Sequence, residues 1–191
     1  MIRFGRKNKE VKIPEEGRLL LASDPKTSAE ILEKLAKDEL AKDKKDRYVL
    51  EAIAENHNTP PKVLRDLAEH GDYFVKARVA GNPNTPVDVL SDLAEVMDGA
   101  IDEALVRNPN TPEVVLRRID NWAKIRVAED RETPVKILEK LAKDDIDVRR
   151  AVAGNYSAPT ELLIKLISDE AWIVSETAKE TLRRREGIVV D

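Results

Sequence analysis

One phrase, written six times, sets the terms for any fold this chain can adopt. It reads DPKTSAEILEKLA from Asp24, NHNTPPKVLRDLA from Asn56 and NPNTPVDVLSDLA from Asn82. It returns as NPNTPEVVLRRID from Asn108, DRETPVKILEKLA from Asp130 and NYSAPTELLIKLI from Asn155. Successive copies start 32, 26, 26, 22 and 25 residues apart. Periods in this range mark stacked supersecondary units, each too small to bury its apolar face alone.

Each part of the phrase has a mechanical reading. Thr27, Thr59, Thr85, Thr111 and Thr133 are expected as helix N-caps, their hydroxyls accepting an orphan backbone N–H. Pro60, Pro86, Pro112, Pro134 and Pro159 then fall at the first helical position, where a missing N–H costs nothing. The leading Asn or Asp closes a turn after the preceding helix and tolerates left-handed backbone. Behind the cap, apolar residues at i, i+1 and i+4 (Val63, Leu64 and Leu67, for example) share one helix face. A second apolar set precedes each Asn or Asp, as in Val75, Val79 and Ala80. The unit predicted is helix, variable loop, short second helix, tight turn.

VAGNPNTPVDVLSDLAE and RVAEDRETPVKILEKLAKD resemble the leucine-rich repeat variant family, and LAKDDIDVRRAVAG is similar to HEAT repeats. The resemblance covers about residues 17–182, most of the chain. It implies an all-α, right-handed superhelix (solenoid) of about six two-helix repeats, the second helix short and partly 3-10. Some members of the variant family carry an iron–sulfur domain ahead of the repeats. This chain has no cysteine to ligate a cluster, so that property does not transfer. Outside the repeats lie a basic N-terminal arm or cap, residues 1–16, and a C-terminal tail, 183–191. The departures are a charged insertion at 37–47, Ser28 in place of proline, a shortened fourth unit, and Ala158 in place of the capping Thr.

Composition narrows the chemistry. Charged residues make up 37% but are mixed in sign, leaving a net charge of −4, so a surface wholly committed to polyanions is not expected. The absence of cysteine excludes disulfides and thiolate catalysis. Aromatics are only 4%, so a core must be made of Leu, Val, Ile and Ala. No apolar run approaches the length of a membrane span and the first residues carry no apolar signal segment, which predicts a soluble, cytoplasmic protein with no membrane partner. No phosphate-binding loop, nucleophile elbow or zinc-protease motif occurs. No catalytic residue, cofactor or metal site is assigned. His57 and His70 are read as solvated loop residues rather than ligands, and the acids of DDIDVRR as helix-start charges.

Two sets of residues carry binding potential. Lys76, Arg78, Lys124, Arg126, Arg149 and Arg150 fall at related places on the second helices. By the HEAT resemblance they either form a basic stripe that reaches phosphates or brace neighbouring units by ion pairs with acids. Tyr48, Tyr73, Phe74, Trp122 and Trp172 recur near the starts of the same helices. They either seat the turns as hydrophobic staples or stand out as anchors, Trp122 above all. The expectation is a non-catalytic scaffold or adaptor that binds a protein or peptide on its curved surface. Nucleic-acid binding through the basic residues is the alternative, and an enzyme by analogy with HEAT-like DNA glycosylases the third reading.

Overall fold

A computed structural model describes residues 13–186. Among them the chain forms thirteen α-helices, a single turn of 3-10 helix and no strand. The helices are α1 (Glu15–Ser23), α2 (Ala29–Leu40), α3 (Arg47–Glu55), α4 (Pro61–His70), α5 (Tyr73–Gly81), α6 (Val87–Leu93), α7 (Gly99–Arg107), α8 (Glu113–Leu116), α9 (Asn121–Glu129), α10 (Val135–Leu141), α11 (Ile146–Gly154), α12 (Thr160–Ile167) and α13 (Trp172–Glu186). Each recurrence of the phrase builds one even-numbered helix, and the apolar set that follows builds the next odd-numbered one. The odd-numbered helices form a row in which α1 packs on α3, α3 on α5, and so on to α13. Even-numbered helices pack against their odd neighbours, for instance α4 on α5 and α12 on α13.

The apolar face read from the phrase is the core. Leu32, Leu64, Leu90, Leu138 and Leu163 are fully buried, as are Ile53, Val79, Leu105, Val127 and Val152 from the opposing helices. Each such leucine contributes on the order of 1.5–3 kcal/mol by leaving water. The expected short second helix holds in the first two units, where α3 and α5 have nine residues against twelve and ten, and is reversed in the next three. The second helices of the third to fifth units are regular nine-residue α-helices, while α6, α8 and α10 have seven, four and seven residues. The 3-10 turn (Ala94–Val96) extends the first helix of the third unit, and Met97 ends it in left-handed backbone.

The threonines act opposite to expectation. Pro60, Pro86, Pro112, Pro134 and Pro159 are themselves the N-caps, in extended backbone and with no side-chain cap hydrogen bond. The threonine before each helix is buried and donates its hydroxyl backward. Thr59 reaches the Ile53 carbonyl at 2.6 Å, Thr111 that of Leu105 at 2.7 Å and Thr133 that of Val127 at 2.6 Å. It therefore closes the C-terminus of the preceding helix, whose last carbonyls lack intrahelical partners.

The leading asparagines also do more than turn the chain. Their backbone is extended rather than left-handed, with φ between −67° and −76°. Asn56, Asn82, Asn108 and Asn155 are buried. The side-chain carbonyl of each accepts the N–H two residues on, while its amide crosses to the unit before. Asn82 donates to the carbonyls of Ala54 at 2.7 Å and Asn56 at 3.0 Å. Asn108 repeats this on Ala80 and Asn82, Asn56 on Ala22 and Asp24, and Asn155 on Ala128 and Asp130. A parallel, outer line joins Asn58 to Pro25, Asn84 to His57 and Asn110 to Pro83.

Both lines change at the fifth unit, where Asp130 and Glu132 replace the two asparagines. Arg107 pairs with Asp130 at 2.8 Å, and Lys140 donates to the Pro109 carbonyl at 2.7 Å, the place an outer asparagine would take. At the last unit, Arg185 donates to the carbonyls of Tyr156 and Ala158. These are the same places Asn58 uses in the first unit, so Arg185 closes the outer line. Of the tail expected at 183–191, residues 183–186 are the end of α13. The arm expected at 1–16 begins α1 at Glu15 and buries Ile13; residues 1–12 and 187–191 lie outside the described part.

The charged insertion at 37–47 is organised by Glu39, which is fully buried. Its carboxylate accepts from Arg18 at 3.2 Å, Lys42 at 2.9 Å and the Asp46 N–H at 2.6 Å. Burial opposes its ionisation, but these donors outweigh it and hold the carboxyl below its usual range.

Candidate binding groove

Helices α3, α5, α7 and α9 start alike. Asp46, Asp72, Asp98 and Asp120 are N-caps whose carboxylates accept backbone N–H groups of the first turn: Tyr48 at 3.0 Å, Val75 at 3.1 Å, Ala100 at 2.9 Å and Trp122 at 2.6 Å. The second residue after each cap is then Tyr48 on α3, Phe74 on α5, Ala100 on α7 and Trp122 on α9. Aromatic, aromatic, alanine, aromatic: at α7 the large side chain is missing.

A groove of about 820 Å³ opens there. Tyr73 and Phe74 line it from α5 and Trp122 from α9, while Ala77, Ala100 and Ala104 add small side chains and Gly81 bare backbone. The aromatic walls are held in place. Phe74 lies against Tyr73 with ring centroids 3.8 Å apart, and the Arg47 guanidinium sits 4.2 Å from its ring. Trp122 has Arg126 at 5.0 Å, and a Cβ added at Gly99 would meet its ring at 3.4 Å. Arg78, Arg107 and Arg126 enter the lining with Glu55 and Glu103.

Those charges are mostly spoken for. Arg78 pairs with Glu55 at 2.9 Å and Glu51 at 3.3 Å, and Arg126 with Glu103 at 2.7 Å. Lys124 is 2% exposed, donating to Asp144 and Asn121, which removes it from any surface. Arg149 is enclosed as well, its guanidinium bidentate on Asp169 at 2.7 and 2.9 Å with a third bond to the Asp144 carbonyl. That contact, opposed by burial, holds the Asp169 carboxyl below its usual range. Lys76 is half-buried and Arg150 exposed, and neither has an ion-pair partner among the described residues. The six basic residues therefore do not form one basic stripe: four of them pair with acids of neighbouring units.

Of the two tryptophans, Trp122 is 56% exposed at the groove, whereas Trp172 is 73% exposed on α13, away from it. Tyr48 and Tyr73 are exposed too, so the staple reading fails for these aromatics. Reasoning from sequence missed Gly99, Ala100 and Ala104. The signal was available, because aligning the second helices on their capping aspartates puts Ala100 in register with Phe74 and Trp122.

Asp102 has its carboxyl pushed up by burial and by the negative charges of Asp98 and Asp120. Among the described residues, no group of three or more His, Cys, Asp or Glu is placed to hold a metal ion. His57 reaches the groove edge, and His70 ends α4 beside Glu69. No helix among the described residues is long and apolar enough to cross a membrane. Neither a family model, nor a curated protein, nor a solved structure matches this chain.

Proposed function

We propose that the protein is a non-catalytic scaffold whose helix pairs form a right-handed solenoid of about six units and bind a peptide segment of a partner. The sequence likeness to leucine-rich repeat variant and HEAT units supports the solenoid. Supporting the binding role is one observation above others: the groove between Phe74 and Trp122, with pre-positioned aromatic walls and a small-residue floor. Exposed aromatics held rigid lose little entropy on binding, which is the usual character of interface hot spots. Selection of a random peptide library on the immobilised protein tests this, with Trp122→Ala as counter-target. Enrichment on the native protein and not on the variant supports the reading; no enrichment on either overturns it.

The nucleic-acid alternative has less to stand on. Arg78 and Arg126 are neutralised by glutamates and Lys124 and Arg149 are enclosed. Anisotropy with duplex DNA, single-stranded DNA and RNA is expected to show no binding at physiological salt, and steeply salt-dependent binding would reinstate it. The glycosylase reading needs a free acid among the aromatics. Glu55 and Glu103, the acids of the groove, are both in ion pairs.

A further inference from the structure

Resting on that peptide-binding reading, we propose that the segment bound across Trp122 is basic, its apolar side chains meeting Met97, Trp122 and Ile146 and its lysines or arginines the carboxylates beside them. The face is the edge made by the starts of α7, α9 and α11. Each start presents an exposed apolar side chain close to an acid: Met97 before Asp98, Trp122 two places after Asp120, and Ile146 between Asp145 and Asp147. The three starts are joined. Trp122 lies over Gly99 of α7, and the Asn121 amide donates to the Asp145 carboxylate at 2.8 Å.

Met97 is the plainest sign that this edge serves something besides the fold. Its side chain is 88% exposed and adds little to the core, while its backbone stands in the left-handed region at φ 52°. Glycine is the usual residue at such a helix end, because it takes this conformation without a clash. A thioether there offers instead a flexible apolar contact of the kind found on peptide-binding surfaces.

Charge chooses the occupant. The arginines of the groove are neutralised, Arg78 by Glu55, Arg107 by Asp130 and Arg126 by Glu103. Cations near the edge are used in the same way, Arg118 with Glu95 and Lys124 with Asp144. Asp98, Asp120, Asp145 and Asp147 have no ion-pair partner among the described residues, and against these four carboxylates stands one unpaired cation, Lys143. Asp98 and Asp120 cap their helices through one oxygen each and keep their charge. Its field is felt nearby, where burial and then these two charges push up the Asp102 carboxyl. Adjacent helices of a packed row are about 8–10 Å apart, the span of about three residues of extended chain. A basic and an apolar residue at every third place therefore meet one helix start after another.

The test uses the full chain, labelled with ¹⁵N and with ¹³C at the methionine methyls, so that Met97 and the two tryptophan indoles report separately. The probe is the acetylated, amidated peptide Gly-Lys-Leu-Gly-Lys-Leu-Gly-Lys-Leu-Gly, with one control carrying Glu for every Lys and another Ala for every Leu. The first is expected to shift the Met97 methyl and the Trp122 indole saturably, leaving the Trp172 indole unmoved. Both controls should bind weaker by about tenfold, and added salt should weaken the first. Asp98→Ser with Asp120→Ser keeps good N-caps and removes two charges, so the fold stays and affinity for the lysine peptide falls. Met97→Gly suits the left-handed backbone and should weaken binding without lowering Tm. Equal binding of the glutamate peptide, undiminished binding by the serine variant, or no saturable shift up to millimolar peptide overturns the proposal. So does movement of the Met97 and Trp122 signals in Arg3→Glu with Arg6→Glu when no peptide is present, which would make this chain's own first residues the occupant. Library selection separates the two levels. Enriched peptides without Lys or Arg that still need Trp122 leave peptide binding standing and this specificity fallen, whereas no enrichment removes both.

Discussion

The guanidinium of Arg107 lies 2.8 Å from the carboxylate of Asp130, where the other inner positions of this line carry an asparagine amide bonded to two carbonyls of the unit before. By register, the carbonyls left without that donor are those of Val106 and Asn108. An exposed ion pair contributes only about 0–1 kcal/mol, while two hydrogen bonds to buried carbonyls contribute about 0.5–1.5 kcal/mol each.

Asp130→Asn is therefore expected to stabilise the protein by about 1 kcal/mol, raising Tm by about 2–4 °C. Scanning calorimetry of the two proteins decides it, and a lowered Tm would contradict it. The pH dependence should also change. The N–H of Glu132 and then Arg107 hold the Asp130 carboxyl below its usual range. Its contribution is thus complete above the unfolded carboxyl value and is lost as pH falls through the folded one. In the asparagine variant that acid loss disappears, and the gain in Tm widens as pH is lowered.

At an intact rung the converse substitution should be severe. Asn82→Ala leaves the Ala54 carbonyl without its donor and the Asn56 carbonyl with only the Thr59 N–H, a cost of about 2–3 kcal/mol. Asn82→Asp is expected to cost more at neutral pH, because a buried carboxylate then faces two carbonyl oxygens. That carboxyl has a raised folded pKa, so stability is present at low pH and lost as pH rises. Urea titrations at two pH values check the crossing: acid should narrow the gap between Asp and Ala.

The threonines permit a test that separates the two capping roles. The Thr85 hydroxyl donates to the Val79 carbonyl, in the last turn of α5. Thr85→Val keeps the shape and removes the donor, with an expected loss of about 1–2 kcal/mol. Hydrogen exchange should quicken at the end of α5, at Val79 to Asn82, more than at the start of α6. Faster exchange confined to α6 would restore the role expected from sequence.

Glu39→Gln removes the charge that Arg18 and Lys42 share, and is expected to cost about 3 kcal/mol. Since the carboxyl lies below its ordinary range, native stability falls with acid through that folded pKa, and the variant should lack this portion of the fall. A variant as stable as the native protein would refute the organising role of Glu39 in the insertion.

How much of this was readable in advance differs by level. Helical class was legible, because Leu64 and Leu67 sit at helical spacing and are buried as that spacing demands. The direction of the threonine bonds was not. A hydroxyl both donates and accepts, and the spacing from Thr to the next helix looks the same in either case. The asparagine line was hidden for another reason: its acceptors, Ala54 and Asn56 for Asn82, belong to another unit, and local sequence carries no record of them. Of the groove, the walls were legible as recurring aromatics. The vacancy was not, since it is an absence at Ala100 that only alignment of neighbouring helices reveals.

Asparagine side chains age. The backbone nitrogen of the following residue attacks the side-chain carbonyl, forms a cyclic imide and releases ammonia, and hydrolysis leaves aspartate or isoaspartate. The two central rungs, Asn82 and Asn108, are each followed by proline, whose nitrogen carries no hydrogen and cannot take this route. Asn56 and Asn155 precede His57 and Tyr156 and have no such protection. The chemical lifetime of the line is thus set at its two ends, and its middle is exempt.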